Sequence, residues 1–251
     1  GDAAPATWRV PVTGNGHYVV SAAVKGEGFA YRMELPFVII YPYAKTHGNR
    51  DARFGTNHPY YTDLLQTMAQ DAGVFWVRDW TLKWDNVEPE KGVWDFSGPD
   101  LFFGRARRLN LRVQAILPDP SASWASSGPP EARGKRLGDA YEDLWHLPKD
   151  MADYRRYARE CITRYRDVTT AWEVLNEPFA HKCRNWLVGE KYEQFLTAVK
   201  EEAAKVDPAL KIMRCGLHYL DKTEEPNARA ARLAEILSEH VYPRYHNTLT
   251  F

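Results

Sequence analysis

Thr169-Thr-Ala-Trp-Glu-Val-Leu-Asn176-Glu177-Pro178 reads as a buried strand that ends on a carboxylate. β-Branched, aromatic and aliphatic residues dominate from Thr169 to Leu175. Pro178 cannot donate to a ladder, so it ends the strand and fixes the turn. In a parallel sheet Glu177 would stand at the carboxyl end of that strand, where α/β barrels place reacting groups. Asn176 beside it can hydrogen-bond a hydroxyl. The bland alternative for Glu177 is a loop carboxylate paired with an arginine.

On both sides of this strand the pattern alternates strand and helix. Ala52-Arg-Phe-Gly-Thr-Asn57 is a short strand, and Tyr60, Leu64, Leu65, Met68 and Ala72 follow at helical spacing up to Gly73. Val74-Phe-Trp-Val-Arg-Asp-Trp80 is a second strand. A helix opening at Pro99-Asp100 then carries Phe102, Ala106 and Leu109 on one face. Leu111-Arg-Val-Gln-Ala-Ile-Leu-Pro118 is a third strand, followed by a long Ser/Gly/Pro loop over 119–148. Tyr154, Tyr157, Ala158, Cys161, Ile162 and Tyr165 fit a helix before the fourth strand. Tyr192, Phe195, Leu196, Val199, Ala203 and Val206 form the helix after it. Leu210 to Gly216 is a fifth strand, Ala230, Leu233, Ile236 and Leu237 mark a further helix, and Asn247-Thr-Leu-Thr-Phe251 begins a sixth strand.

Strict alternation of this kind predicts an α/β fold with a parallel sheet covered by helices. A doubly wound nucleotide-binding sheet would show a glycine-rich first turn. Neither GxGxxG nor a P-loop pattern is present. The expected architecture is therefore a (β/α)8 TIM barrel, incomplete, with about six βα units where eight are needed. The missing two would lie beyond Phe251, and the chain reads as a fragment. The expected division is 1–44, the C-terminal strands of an N-terminal β-rich, sandwich-like domain, and 45–251, the partial barrel. Within the first part Tyr18 to Val24 and Glu34 to Ile40 are strand-like, with Gly26 and Gly28 between them.

Composition narrows the partners. Lys+Arg and Asp+Glu are both 33, so the excess of positive charge that phosphate neutralisation requires is absent, and no nucleic-acid partner is expected. No apolar run approaches the roughly 20 residues of a membrane helix, and mean hydropathy is −0.53; no membrane insertion is expected. Three cysteines, Cys161, Cys183 and Cys215, cannot all pair internally. Cys161 and Cys215 fall on apolar patterns and read as buried thiols. No Cys/His spacing suggests zinc, and neither a metal nor another cofactor is implied. Nine Trp, 14 Tyr and 10 Phe fit either a large aromatic core or faces that stack on sugars.

Trp-Glu-x-x-Asn-Glu-Pro after a fourth strand resembles the Asn-Glu-Pro signature of glycoside hydrolase clan A, the retaining (β/α)8-barrel enzymes that include families 5, 39 and 42. A second stretch agrees. Trp76-Val-Arg78-Asp-Trp80, followed by Trp84-Asp-Asn-Val-Glu88-Pro-Glu-Lys-Gly-Val-Trp94-Asp-Phe96, resembles the second strand and following loop of that clan. The resemblance covers about residues 51–251. It implies that Glu177 is the general acid/base, that Asn176 contacts the sugar next to the scissile bond, and that Arg78 supports the nucleophile. The alternative for Arg78 is a structural salt bridge. The nucleophile itself belongs at the end of strand seven, which this chain does not contain. Glu88, in a Glu-Pro-x-x-Gly setting, reads as turn chemistry and not as a catalytic group.

The chemistry requires these groups. A glycosidic bond breaks through an oxocarbenium-like transition state, with one carboxylic acid protonating the leaving oxygen and, in retaining enzymes, a carboxylate about 5–5.5 Å away attacking the anomeric carbon. Glu173 shares alternation parity with Glu177 but lies deeper and reads as a buried, paired group. Asp119 and Asp221 follow strands three and five without qualifying as nucleophile. Around the rim, Trp124, His181, Trp186, His218 and Tyr219 are the other candidate substrate contacts. The expected function is cleavage of O-glycosidic bonds in an oligo- or polysaccharide, outside the cytoplasm, as the resemblance implies. The rival is a non-catalytic carbohydrate-binding barrel that keeps the cleft and lacks one carboxylate.

Overall fold

In the computed structural model, residues 7, 9–41, 43–46, 48, 53–60, 62–137, 140–178, 190–215 and 232–238 are described. The N-terminal stretch is an antiparallel hairpin of β1 (Gly16–Gly26) and β2 (Phe29–Ile39). Gly28 has φ +78° at the turn, a left-handed conformation that glycine adopts without a Cβ clash. Strict alternation puts Tyr18, Val20, Ala22 and Val24 opposite Phe37, Leu35, Met33 and Tyr31 on one face. That face is apolar, and Val24, Tyr31, Met33 and Leu35 on it are exposed.

A short helix α1 (Tyr43–Thr46) precedes the barrel units. These begin with β3 (Phe54–Thr56) and α2 (Asp63–Asp71), then β4 (Val74–Asp79). After β4 come the one-turn α3 (Trp84–Val87), α4 (Ser97–Arg108) and β5 (Arg112–Leu117). The long loop after β5 holds a two-residue ribbon, β6 (Arg136–Leu137) with β7 (Ala140–Tyr141). Helix α5 (Met151–Tyr165) leads into β8 (Thr169–Val174), and α6 (Glu190–Val206) into β9 (Ile212–Arg214). The last described strand is β10 (Ile236–Leu237).

Six strands form one sheet in the order β10-β9-β8-β5-β4-β3, every pair parallel. Chain order and spatial order coincide, as successive βα units of an incomplete barrel require. Gly55 permits the β3–β4 contact: a Cβ there would lie 2.5 Å from Trp76 Cβ and 2.8 Å from its carbonyl oxygen.

The core fills the space between the sheet and the helices. Val77, Val113, Ala115, Leu117, Trp172 and Val174 project from the strands. Tyr154, Tyr157, Ala158, Cys161, Ile162 and Tyr165 meet them from α5, all fully buried, as the helical spacing predicts. Tyr157 stacks on Trp84 and Tyr165 on Phe103, with ring centroids 5.0 and 3.9 Å apart. The alternate strand residues, among them Trp76, Arg78, Gln114, Ala171 and Met213, line a concave cavity of about 460 Å³ on the opposite side of the sheet.

Two sequence expectations are corrected. The sixth strand is β10, paired with β9 through Ile236–Met213 and Leu237–Arg214. Ile236 and Leu237 therefore belong to a strand and not to a helix. A two-residue strand has no alternation of its own, so the helical spacing from Ala230 to Leu237 was the stronger pattern. The expected strand at Asn247–Phe251 lies outside the described residues. In α2 the helix is present but its apolar stripe faces out: Leu64 and Met68 are 69% and 54% exposed, while Gln66, Ala69 and Gln70 are buried. Gln70 Nε2 donates to Leu109 O at 2.7 Å, at the C-cap of α4. Leu64, Met68 and the 72%-exposed Phe54 stand at the free edge of the sheet, where a closed barrel would continue.

Candidate active site

Arg78 is the hub of the C-terminal end of the sheet. It projects from β4 into the cavity, and its Nε and Nη2 donate to Glu173 Oε2 and Oε1 at 2.6 and 2.9 Å. Nη2 also donates to Asn176 Oδ1 at 2.9 Å, and Nη1 to Asn57 Oδ1 at 2.9 Å. Glu173 is fully buried and also accepts from Gln114 Nε2 at 2.5 Å. A buried carboxylate held by a two-point guanidinium and an amide is well satisfied. The strands thus bring Arg78 and Asn176 together. Arg78 is also the ion-pair partner of Glu173, so the structural salt bridge weighed as its alternative is present.

The turn after β8 is strained. Leu175 and Glu177 have φ +58° and +44°, and left-handed backbone at non-glycine residues costs on the order of 1–3 kcal/mol each. Neighbouring strands hold it in place. Leu175 N donates to Leu117 O at 2.9 Å and Asn176 N to Pro118 O at 3.2 Å, extending the β5–β8 ladder. On the other side Glu177 N donates to Cys215 Sγ at 3.1 Å, just past β9. Asn176 and Glu177 are half-buried while Leu175 is buried.

Glu88 is structural, as its turn setting predicts. It is fully buried and accepts from Trp84 Nε1 at 2.8 Å, Gly92 N at 2.7 Å and Arg156 Nη2. Trp124 belongs to this cluster. Its Nε1 donates to Glu88 O at 2.8 Å, its ring meets Trp84 edge-on at 5.7 Å, and Lys91 and Arg156 approach its face. Trp124 is half-buried. His181, Trp186, His218, Tyr219, Asp221 and Cys183 lie outside the described residues. Asp119 is buried. Cys161 and Cys215 are both buried thiols, and burial pushes Cys161 well up.

Three participants escaped the sequence reading: Gln114, Asn57 and Trp80. Gln114 is the sole uncharged polar residue in Leu111–Leu117, a signal that alternation could have used. Asn57 and Trp80 had none, because their contact joins the ends of two strands: Trp80 Nε1 donates to Asn57 Oδ1 at 3.1 Å, and the Arg78 guanidinium carbon lies 4.7 Å from the Trp80 ring centroid. Asp79 faces the helices beside this site. Burial pushes its carboxyl up to about 7, against the opposing bonds from Thr81 and Trp80. Among the described residues no group of three His, Cys, Asp or Glu side chains could hold a metal ion, and no helix is long and apolar enough to cross a membrane.

No protein-family model matches the chain. Over 82 residues it is 41% identical to a probable mannan endo-1,4-beta-mannosidase C of Aspergillus terreus, covering 32% of this chain and 20% of the relative. Over 177 residues it is 28% identical to endo-1,4-beta-xylanase A of Humicola insolens, covering 64% of this chain and 40% of the relative. Among solved structures, a family 39 glycoside hydrolase from Bacteroides cellulosilyticus WH2 superimposes with TM-score 0.57 at 16% identity, covering 81% of this chain and 39% of that one. The chain thus spans between a fifth and two fifths of the length of these proteins. The relatives and structural neighbours are glycoside hydrolases, in accord with the clan A resemblance, and the fold is that of their barrel.

Proposed function

We propose that this chain is the acid/base half of the catalytic barrel of a retaining glycoside hydrolase, cleaving O-glycosidic bonds of an extended polysaccharide outside the cytoplasm. One observation carries it: Glu177 follows the carboxyl end of β8 directly after Asn176, which Arg78 orients. The names of the mannosidase and xylanase relatives favour a polysaccharide. We further propose that residues 1–44 close a preceding β-rich domain and that 45–251 belong to the barrel.

In the first step the Glu177 carboxyl gives its proton to the glycosidic oxygen as the C–O bond breaks, and a carboxylate from elsewhere in an eight-stranded barrel attacks the anomeric carbon. In the second step the Glu177 carboxylate takes a proton from water, which displaces the enzyme carboxylate and restores it. Glu173 is unsuited to the attacking role, being fully buried and committed to Arg78 and Gln114.

The test is Glu177→Gln in the full-length protein. Natural substrates with poor leaving groups should lose roughly 10²–10⁴-fold in rate, while activated aryl glycosides keep their glycosylation step. Azide, which needs no general base, should speed turnover and give a glycosyl azide of retained configuration. Near-normal hydrolysis of the natural substrate by the Gln variant would sink the assignment, as would a product of inverted configuration.

A further inference from the structure

Three hydrogen bonds link the end of β8 back to Glu177 through two other elements. Val174 O accepts from Tyr192 Oη at 2.9 Å, Tyr192 Oη accepts from Cys215 N at 2.8 Å, and Cys215 Sγ accepts from Glu177 N at 3.1 Å. Tyr192 comes from the first turns of α6 and Cys215 from the end of β9. Both side chains are buried. Burial pushes the Tyr192 phenol well up, which keeps it protonated and able to donate to Val174.

The link spans the two left-handed residues, Leu175 and Glu177. Left-handed backbone at leucine and glutamate persists only where surrounding contacts over-determine it. The β5 carbonyls fix Leu175 and Asn176. At the third residue of the turn, Cys215 Sγ accepts the Glu177 N–H. A thiol is a weak acceptor, yet the half-buried Glu177 donates its N–H to it, and this bond helps set where the Glu177 Cα points its side chain.

Resting on the assignment of Glu177 as acid/base, we propose that Cys215, with Tyr192 behind it, is a positioning residue that fixes the backbone carrying the Glu177 carboxyl. Neither side chain transfers a proton to substrate. Their effect is to hold the acid within reach of the leaving oxygen, where a displacement of about 1 Å can reduce the rate by about 10²-fold.

The test compares Cys215→Ala, Cys215→Ser and Tyr192→Phe with Glu177→Gln in the full-length protein. The first readout is residue-resolved hydrogen exchange at the Glu177 amide, which is independent of activity. It should quicken in Cys215→Ala and Tyr192→Phe and stay near native in Cys215→Ser, whose hydroxyl still accepts. The second is the leaving-group dependence of kcat. Cys215→Ala should lose about tenfold on poor leaving groups with KM unchanged and little on activated aryl glycosides, and Cys215→Ser should recover most of the loss. Unchanged exchange in the Ala variant overturns the proposal, as does a loss that is equal for all leaving groups or not rescued by Ser. If Cys215→Ala does not fold, Tyr192→Phe reads the same link from its other end. Failure here with Glu177→Gln behaving as a lost acid removes the clamp alone. A normal Glu177→Gln enzyme removes the acid assignment and leaves the exchange result to judge the clamp.

Discussion

Arg78 and Asn176 meet at 2.9 Å, Nη2 donating to Oδ1, although 98 residues separate them. A guanidinium only donates. The Asn176 carboxamide must therefore turn its oxygen, and not its nitrogen, to Arg78. Glu173 holds Arg78 in place for this by a two-point contact from below.

Arg78→Ala leaves the fully buried Glu173 carboxylate without its guanidinium. Removing one partner of a buried pair destabilises by about 3–5 kcal/mol. Arg78→Lys keeps the charge but not the fork, so it should still weaken activity through Asn176. Urea unfolding of Arg78→Ala, Glu173→Gln and the double variant measures the coupling. A double variant no more stable than Arg78→Ala would contradict this picture, since removing the orphaned charge should recover part of the loss.

Glu88 and Glu177 should separate cleanly. Glu88→Ala strips the Trp84 indole, the Gly92 amide and Arg156 of their acceptor, and should lower stability by about 2–4 kcal/mol. Its dependence on leaving group should stay native. Thermal melts beside a leaving-group series on Glu88→Ala and Glu177→Gln check this. A leaving-group effect at Glu88 would place that residue in the chemistry.

Asp79 makes stability depend on pH. Its folded carboxyl titrates at about 7 against an ordinary 3.8, so between those values the folded state binds a proton that the unfolded chain has released. The contribution is fully present below about pH 4 and is lost as pH rises through about 7. At about 1.4 kcal/mol per pH unit, the loss is on the order of 4 kcal/mol. Asp79→Asn removes that slope while keeping an oxygen for Thr81. The variant should gain on the native protein from pH 4 to 7 and then run parallel to it. Denaturation curves that are parallel throughout would exclude the effect.

The apolar face of the β1–β2 hairpin should promote self-association of the 251-residue chain on its own. Tyr31, Met33 and Leu35 lie exposed along one side of β2, and an isolated two-stranded hairpin is marginal in water. Replacing all three by Thr keeps strand propensity and removes the apolar area. Sedimentation velocity should shift toward the monomer. An unchanged distribution would show that other surfaces drive association.

The sequence by itself determined the strand–helix alternation, the parallel sheet, the buried faces of α5 and α6, and the position of Asn176 and Glu177 at a strand end. Each follows from a local period: two residues per strand repeat, 3.6 per helical turn, and a proline that stops a ladder. Glu88 was legible in the same way, from Pro and Gly at turn offsets. Only the tertiary structure decided the rest. The rotation of α2 turns Gln70 to Leu109 O, 39 residues on, and leaves Leu64 and Met68 exposed at the free edge of the sheet. The placement of β10 depends on its two-residue pairing with β9, too short to leave a period. Arg78's three partners, Glu173, Asn57 and Asn176, and the Cys215–Glu177 bond join residues 21 to 98 apart in the chain. Such contacts depend on which strand ends become neighbours when the sheet forms, and a local pattern has no means of encoding that distance.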